Sequence, residues 1–361
     1  MSKRKKVIKC IVGLFLIAVL IVAGYFAYLF ISYNRIEDNK SLDVIEGAGL
    51  DTLKAGESYT ILTQNIGFGA YTPDYTFFMD GGKESRAASK ESVEACIDKA
   101  AETAISYSPD FIIFQEVDTH ATRSYYVDEV ERINGKLDGF DSVFAMNYHS
   151  AYLCYPLNEP HGKSDSGIVT YSKAKVESAV RRSLPISTGF SKFFDLDRCY
   201  SASRVKVDNG KELVIYNVHL SAYGSSDNLK TRQLEMLFSD MKSEVDKGNY
   251  VVCGGDFNCD FTGDSVKKLN GEDAKQFDWT MPMEQEIIPE GLKRCMEYSC
   301  GEYKQTVRNC DIPYKEGNYV VIVDGFIVSD NIGVEYLENV QTGFSYSDHN
   351  PVIMKFVLLD E

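Results

Sequence analysis

One stretch limits the architecture of this chain more than any other. From Cys10 to Ser32 there are 23 positions without a charge, and nearly all are apolar. About 20 such residues, coiled as a helix, satisfy their own backbone hydrogen bonds and cross the hydrocarbon layer of a bilayer. The core of a cleaved leader is shorter, roughly 7–15 residues, so the run reads as an uncleaved anchor. Ala23 and Ala27 are nevertheless small enough for a cleavage site. Lys3, Arg4, Lys5, Lys6 and Lys9 precede the run. Basic flanks stay on the cytoplasmic side. Residues 1–9 are therefore expected inside as a basic tail, 10–33 in the cell membrane as a single-pass signal anchor, and everything after Tyr33 outside.

Residues 34–57 are polar and without period, and read as a linker or stalk. That leaves 58–361 as one body. Taking the five basic charges of the tail from the net −15 of the whole chain leaves −20 outside the membrane. So acidic a surface repels nucleic acid and anionic lipid unless a cation or a local basic patch intervenes. The nine cysteines are too scattered for a disulfide scaffold. Cys96 falls on a helix face and Cys253 in a strand, as buried thiols do. Cys295, Cys300 and Cys310 cluster, and an extracytoplasmic position permits a bridge between two of them without specifying which.

Within the body, short apolar runs predict strands at 59–64, 111–114, 166–171, 201–207, 212–217, 250–253, 319–328 and 352–358. The Asn209-Gly210 pair between two of these is a hairpin turn signal. Helical spacing recurs over Ala88–Tyr107, Tyr126–Leu137 and Leu234–Val245. Many strands and few long helices predict an α+β fold of stacked sheets with helices outside.

The polar residues fall where the apolar runs stop. The strand at 59–64 ends in Asn65, that at 111–114 in Gln115-Glu116, and that at 212–217 in Asn217-Val218-His219. The run at 250–253 leads through Gly254 and Gly255, expected to turn the chain sharply, to Asp256 and Asn258. The run at 320–323 leads to Asp324, and Asp348-His349 precedes the last strand. Each has an ordinary alternative as a turn residue, a solvated acid or a core histidine. Strand ends gathered on one rim would instead place them all in one cleft. Glu116, Asp256 and Asp348, with the amide oxygens of Asn65 and Asn258, are hard ligands suited to Mg²⁺ or Mn²⁺ and poor for zinc. Two histidines, one oriented by Asp324, suit proton transfer near neutral pH. The chain has no nucleophile elbow, P-loop or GxGxxG. The set points to metal-assisted attack of water on a phosphate ester.

The segments TQNIG (63–67), FQEVD (114–118), GIVTYSK (167–173), NVHL (217–220), GGDFN (254–258), VDGFIVSD (323–330) and SDHNPV (347–352) together resemble the endonuclease/exonuclease/phosphatase superfamily. That is the fold of pancreatic deoxyribonuclease, abasic-site endonucleases, inositol-polyphosphate 5-phosphatases and neutral sphingomyelinases. The resemblance runs from about Thr60 to Leu358 and suggests a membrane-anchored member of bacterial type. It implies a four-layer αββα sandwich of two mostly antiparallel sheets and a metal-dependent phosphodiesterase or phosphatase. It also implies roles. Asn65, Glu116, Asp348 and Asp256 resemble the metal side, with Asp256 alternatively placing the attacking water. Asn258 resembles the amide that holds the scissile phosphate, His349 the general base or phosphate-polarising group oriented by Asp324, and His219 a second proton or hydrogen-bond donor. Arg204 and Arg308 are candidate phosphate clamps. Gly325 replaces a bulkier residue of many members, and no acid supporting His219 stands out.

The substrate implied by the resemblance is a phosphate ester: nucleic acid, phospholipid or a small phosphoester. The acidity disfavours tight binding of nucleic acid, and the anchor favours lipid. No protein partner is implied. The aromatic stretch at 67–82 and the irregular segment Gly271–Gly317 are expected to wall the cleft. A catalytically silent binding module on the same fold is the alternative, and the retained polar set argues against it.

Overall fold

A computed structural model describes residues 3–187, 189, 192, 197–222 and 228–360. It opens with α1 (Lys3–Ser32), the one helix among the described residues long and apolar enough to cross a membrane. The body holds two seven-stranded sheets. The first runs in the order β1 (Lys40–Ser41), β7 (Val176–Ser183), β8 (Cys199–Lys206), β9 (Glu212–His219), β10 (Tyr250–Asp256), β14 (Asp324–Ser329), β11 (Leu292–Arg294). The second runs β15 (Ile332–Asn339), β16 (Val352–Leu358), β3 (Ser58–Asn65), β4 (Phe111–Ala121), β6 (Ser164–Ser172), β5 (Asp141–His149), β2 (Val44–Ile45). A small ribbon of β12 (Val307–Arg308) and β13 (Val320–Val321) stands apart.

Alternating side chains build the layers, because successive residues of a strand face opposite ways. Ile61, Phe111 and Ile113 of one sheet meet Ile215, Val252 and Phe326 of the other in the central core. Their neighbours Leu62, Ile112 and Phe114 point outward, beneath α2 (Lys90–Ser106) and α3 (Glu129–Asn134). Val251 and Cys253 likewise point outward, to Leu237 and Met241 of α4 (Leu229–Asp246). The remaining helix, α5 (Ser265–Asn270), packs beside the small ribbon through Val266. The result is the expected α+β four-layer sandwich. Most pairings are antiparallel, and each sheet has one central parallel pair: β3 with β4, joined through α2, and β9 with β10, joined through α4.

Three expectations need correction. Residues 34–57 are no free stalk. β1 lengthens one sheet by pairing with β7, β2 lengthens the other by pairing with β5, and Leu53 is 1 % exposed in the central core. Gly254 and Gly255 make no turn; they lie inside β10, which continues to Asp256. A Cβ on Gly254 would meet the Phe326 ring at 2.5 Å, and one on Gly255 the Val218 carbonyl oxygen at 2.1 Å. Close packing on both faces, not bending, requires them. Cys295, Cys300 and Cys310 are all free thiols. Cys295 lies against Met354 in the central core, Cys310 against Asp348, and Cys300 is exposed, so they occupy different surroundings.

Candidate active site

Parallel strands end on the same edge, so the two central pairs deliver their last residues to one rim. β3 brings Asn65 and β9 brings His219. Asp256 of β10 pairs with His219 on one side and with Asp324 of β14 on the other, a row across three strands. Glu116 arrives differently. β4 is bulged between Phe114 and Val117, and Glu116 takes a left-handed backbone, φ 55°. An extra residue within a strand re-aims its side chain, here into the cleft.

Of these groups, Glu116, His219 and Asp256 line a cleft of about 300 Å³. The Asn65 side-chain oxygen accepts from the Gly67 N–H at 3.0 Å, which fixes the amide orientation. Its NH₂ therefore donates to Glu116 and Asp256, both at 3.1 Å. Asn65 thus spaces two carboxylates, with its oxygen turned to the Gly67 backbone. Asn258, at φ 48°, takes its N–H to Asp256 at 2.8 Å and its NH₂ to the Leu220 carbonyl at 2.9 Å. Part of the Asp256–Asn258 pattern is thus a turn in which an Asp side chain caps the backbone.

His349 lies across the row from its loop. Its Nδ1 bonds the Asp324 carboxylate at 2.8 Å, and Nε2 is 3.8 Å from Asp256. Burial alone would lower the His349 pKa, but the Asp324 charge outweighs it and pushes the group up to about 10. His219 is the reverse case. Burial, with Arg198 and His349 nearby, holds it well below its usual value and neutral. Its Nε2 lies 3.5 Å from Asp256 and 3.7 Å from Glu116, while Nδ1 has no partner among the described residues. Burial, aided by the Glu116 charge, raises the Asp348 carboxyl to about 7 even against His349 and Arg308. Burial raises Asp256 as well.

Carboxylates that line one cleft offer hard oxygen donors to a divalent cation. Glu116, Asp256 and Asp348 are oxygen donors on one cleft, and the buried Oδ1 of Asp348 has no hydrogen-bond partner among the described residues. Such a donor set suits Mg²⁺ or Mn²⁺. Asp256, Asp324 and His349 also bring one ligand atom each within 4.8 Å of one another. Within that cluster Asp324 and His349 are already bonded to each other at 2.8 Å.

The segment 62–283 matches the Endonuclease/Exonuclease/phosphatase family, well over half of the chain. The chain belongs to that family. It is accordingly an enzyme of phosphoester hydrolysis. The family match stops before Asp324 and His349, which the fold returns to the same rim. Similar solved structures include ANGEL2, a 2',3'-cyclic phosphatase, at 14 % identity over 90 % of this chain and 99 % of that one, TM-score 0.55. The human Nocturnin catalytic domain with bound sulfate has 17 % identity over 87 % and 97 %, TM-score 0.52. A family protein from Beutenbergia cavernae has 18 % identity over 84 % and 72 %, TM-score 0.54. These likenesses concern the fold. Among curated proteins, none matches the chain.

Arg308 reaches the cleft, 1 % exposed; one nitrogen donates to the Thr72 and Tyr75 carbonyls, while Nε and Nη1 find no partner among the described residues. Arg204 does not reach it. On β8 it pairs with Glu212 and Glu244, both at 2.7 Å, which corrects its assignment as a phosphate clamp. Two other arginines line the cleft without any signal in the sequence. Arg123 pairs with Asp118 at 2.8 Å and lies 3.8 Å over the Phe68 ring; Arg198 is nearly buried with Nε unpartnered among the described residues. From the aromatic stretch, Phe68 and Tyr71 are buried and Phe77 half-buried along the cleft wall, and Trp279 and Arg308 come from the irregular segment. The space a side chain on Gly325 would take is filled by Phe261, whose ring lies 2.5 Å from the position of a Cβ.

Proposed function

We propose that this enzyme is a divalent-cation-dependent hydrolase of phosphate esters, held to the cell membrane by α1 with the sandwich on the extracytoplasmic side. The row His219–Asp256–Asp324, closed by His349 and faced by Glu116 and Asp348, carries the reading. The solved relatives of this fold include a cyclic phosphatase and a sulfate-bound domain, which fits an anion seated in this cleft.

Glu116, Asp348 and Asp256 would hold Mg²⁺ or Mn²⁺, and Asn65 keeps two of them apart. The cation supplies Lewis acidity for phosphate oxygens. His349, kept charged by Asp324, presents Nε2–H to a phosphate oxygen, while its Nδ1–H stays with the carboxylate. Asp256, buried and raised, accepts the proton of the attacking water. Neutral His219 donates its N–H from the opposite side, and Arg308 offers two unpaired nitrogens to the anion. Asn258 lies beside the phosphate position.

Two measurements test this. Purified full-length protein is expected to hydrolyse a phosphodiester with Mg²⁺ or Mn²⁺ and to fall silent in EDTA. Asp256→Ala and His349→Ala should fold normally and lose about 10²-fold or more in turnover, the scale of acid–base participation. In a thermal melt the cation should raise the midpoint, and Asp348→Ala should shrink that rise. Wild-type turnover in EDTA, or in either alanine variant, would sink the roles assigned.

A further inference from the structure

The end of α1 is bound to the body beside the cleft. The Tyr25 hydroxyl donates to the Tyr152 carbonyl at 3.1 Å and accepts from the Cys154 N–H at 3.2 Å. The Tyr28 hydroxyl accepts from the Tyr152 N–H at 2.9 Å. Leu29 is 1 % exposed against Leu153. These bonds fix the depth of the loop 150–157 relative to the apolar helix. At 1.5 Å per residue, Tyr25 lies about 10 Å inside Ser32, the last residue of the span. The loop is thus held about 6–10 Å inside the end of the span. Tyrosines at that level form the aromatic belt of a membrane interface.

The same loop leaves apolar groups largely uncovered. Tyr155 is 67 % and Leu157 84 % exposed. The Tyr155 ring is 5.8 Å from Phe78, which is 6.1 Å from His161 on the cleft wall. Helix end, apolar loop and cleft wall are therefore linked through Phe78 and His161. A body of −20 gains nothing from an anionic surface, so contact with lipid has to come from apolar insertion. We propose that the loop 150–157 inserts Tyr155 and Leu157 into the bilayer its own helix enters, and that the substrate is a phosphoester carried by a lipid headgroup of that bilayer. This rests on the membrane-anchored hydrolase described above.

The test uses the full-length chain in phosphatidylcholine vesicles containing sphingomyelin and phosphatidylglycerol, with carbonate extraction as the control for insertion. In Leu157→Trp, lipid brominated near the headgroup should quench the added emission by about half or more relative to the wild type, whose one tryptophan is Trp279. Leu157→Asp should lower turnover of vesicle lipid about tenfold and leave bis-p-nitrophenyl phosphate turnover within about twofold. Extraction by carbonate would overturn the anchored reading and this proposal together. An integral chain with an unquenched tryptophan would overturn this proposal alone. Quenching with hydrolysis confined to soluble esters or nucleic acid would overturn the lipid substrate, and quenching with no hydrolysis of any ester would overturn the hydrolase reading beneath it.

Discussion

Arg204 illustrates how a charge gains its role from its surroundings. Glu244, its partner, has a side chain 6 % exposed and also accepts from Lys247 and Asn249. Removing the guanidinium leaves a buried carboxylate short of donors, which costs about 1–3 kcal/mol. Arg204→Ala should therefore lower the thermal midpoint and leave turnover as it was; a raised KM with an unchanged melt would return Arg204 to the substrate. Acid should probe the same pair. Burial would raise the Glu244 pKa, but the bonds from Arg204, Lys247 and Asn249 outweigh it and hold the group at about 2, below its ordinary 4.5. A depressed folded pKa contributes stability above the unfolded value, and that stability fades as pH falls through the folded one. Between pH 4.5 and 2 the wild type should lose stability more steeply than Arg204→Ala.

At the scale of elements, the glycines of β10 make the sharpest case. Gly255 has φ 142°, and a methyl group there would press on the carbonyl just before His219. Gly255→Ala should cost about 1–3 kcal/mol or more and displace His219, lowering turnover. Gly210→Ala, at a hairpin turn with nothing within 4 Å, should cost only about 1 kcal/mol. Melting curves and turnover on both variants separate crowding from backbone strain. Elements and site differ in how far the sequence disclosed them. The strands at 59–64, 212–217 and 352–358 were legible because apolar runs with polar ends mark buried strands that finish at a rim, and the gathering of Asn65, His219 and Asp256 on that rim was legible for the same reason. β5 (Asp141–His149) and β7 (Val176–Ser183) were missed, since their polar residues obscure any clean alternation. The bulge that aims Glu116 left no trace, as it depends on register with β6. Arg123 and Arg198 stayed hidden because neither ends an apolar run, and only tertiary contact brings them to the cleft.

For the molecule as a whole, the strap at 34–57 ties α1 to the sandwich. Leu53→Ala removes a fully buried side chain and should cost about 2–5 kcal/mol. A chain begun at Gly56 should melt several degrees below one begun at Asn34, as each 1 kcal/mol shifts the midpoint by about 2–4 °C in a body this large. Melts of the two chains would check it, and equal midpoints would make the strap dispensable. Its two short strands have another effect. Each closes the outer side of a sheet: β1 lies along β7, and β2 along β5. Strand margins left open offer rows of unpaired amides and carbonyls to any neighbouring chain. The strap acts as a hem. A nick that frees it should register first as scattered light from self-associating protein, while turnover, resting on strands at the centre of the sheets, declines only later.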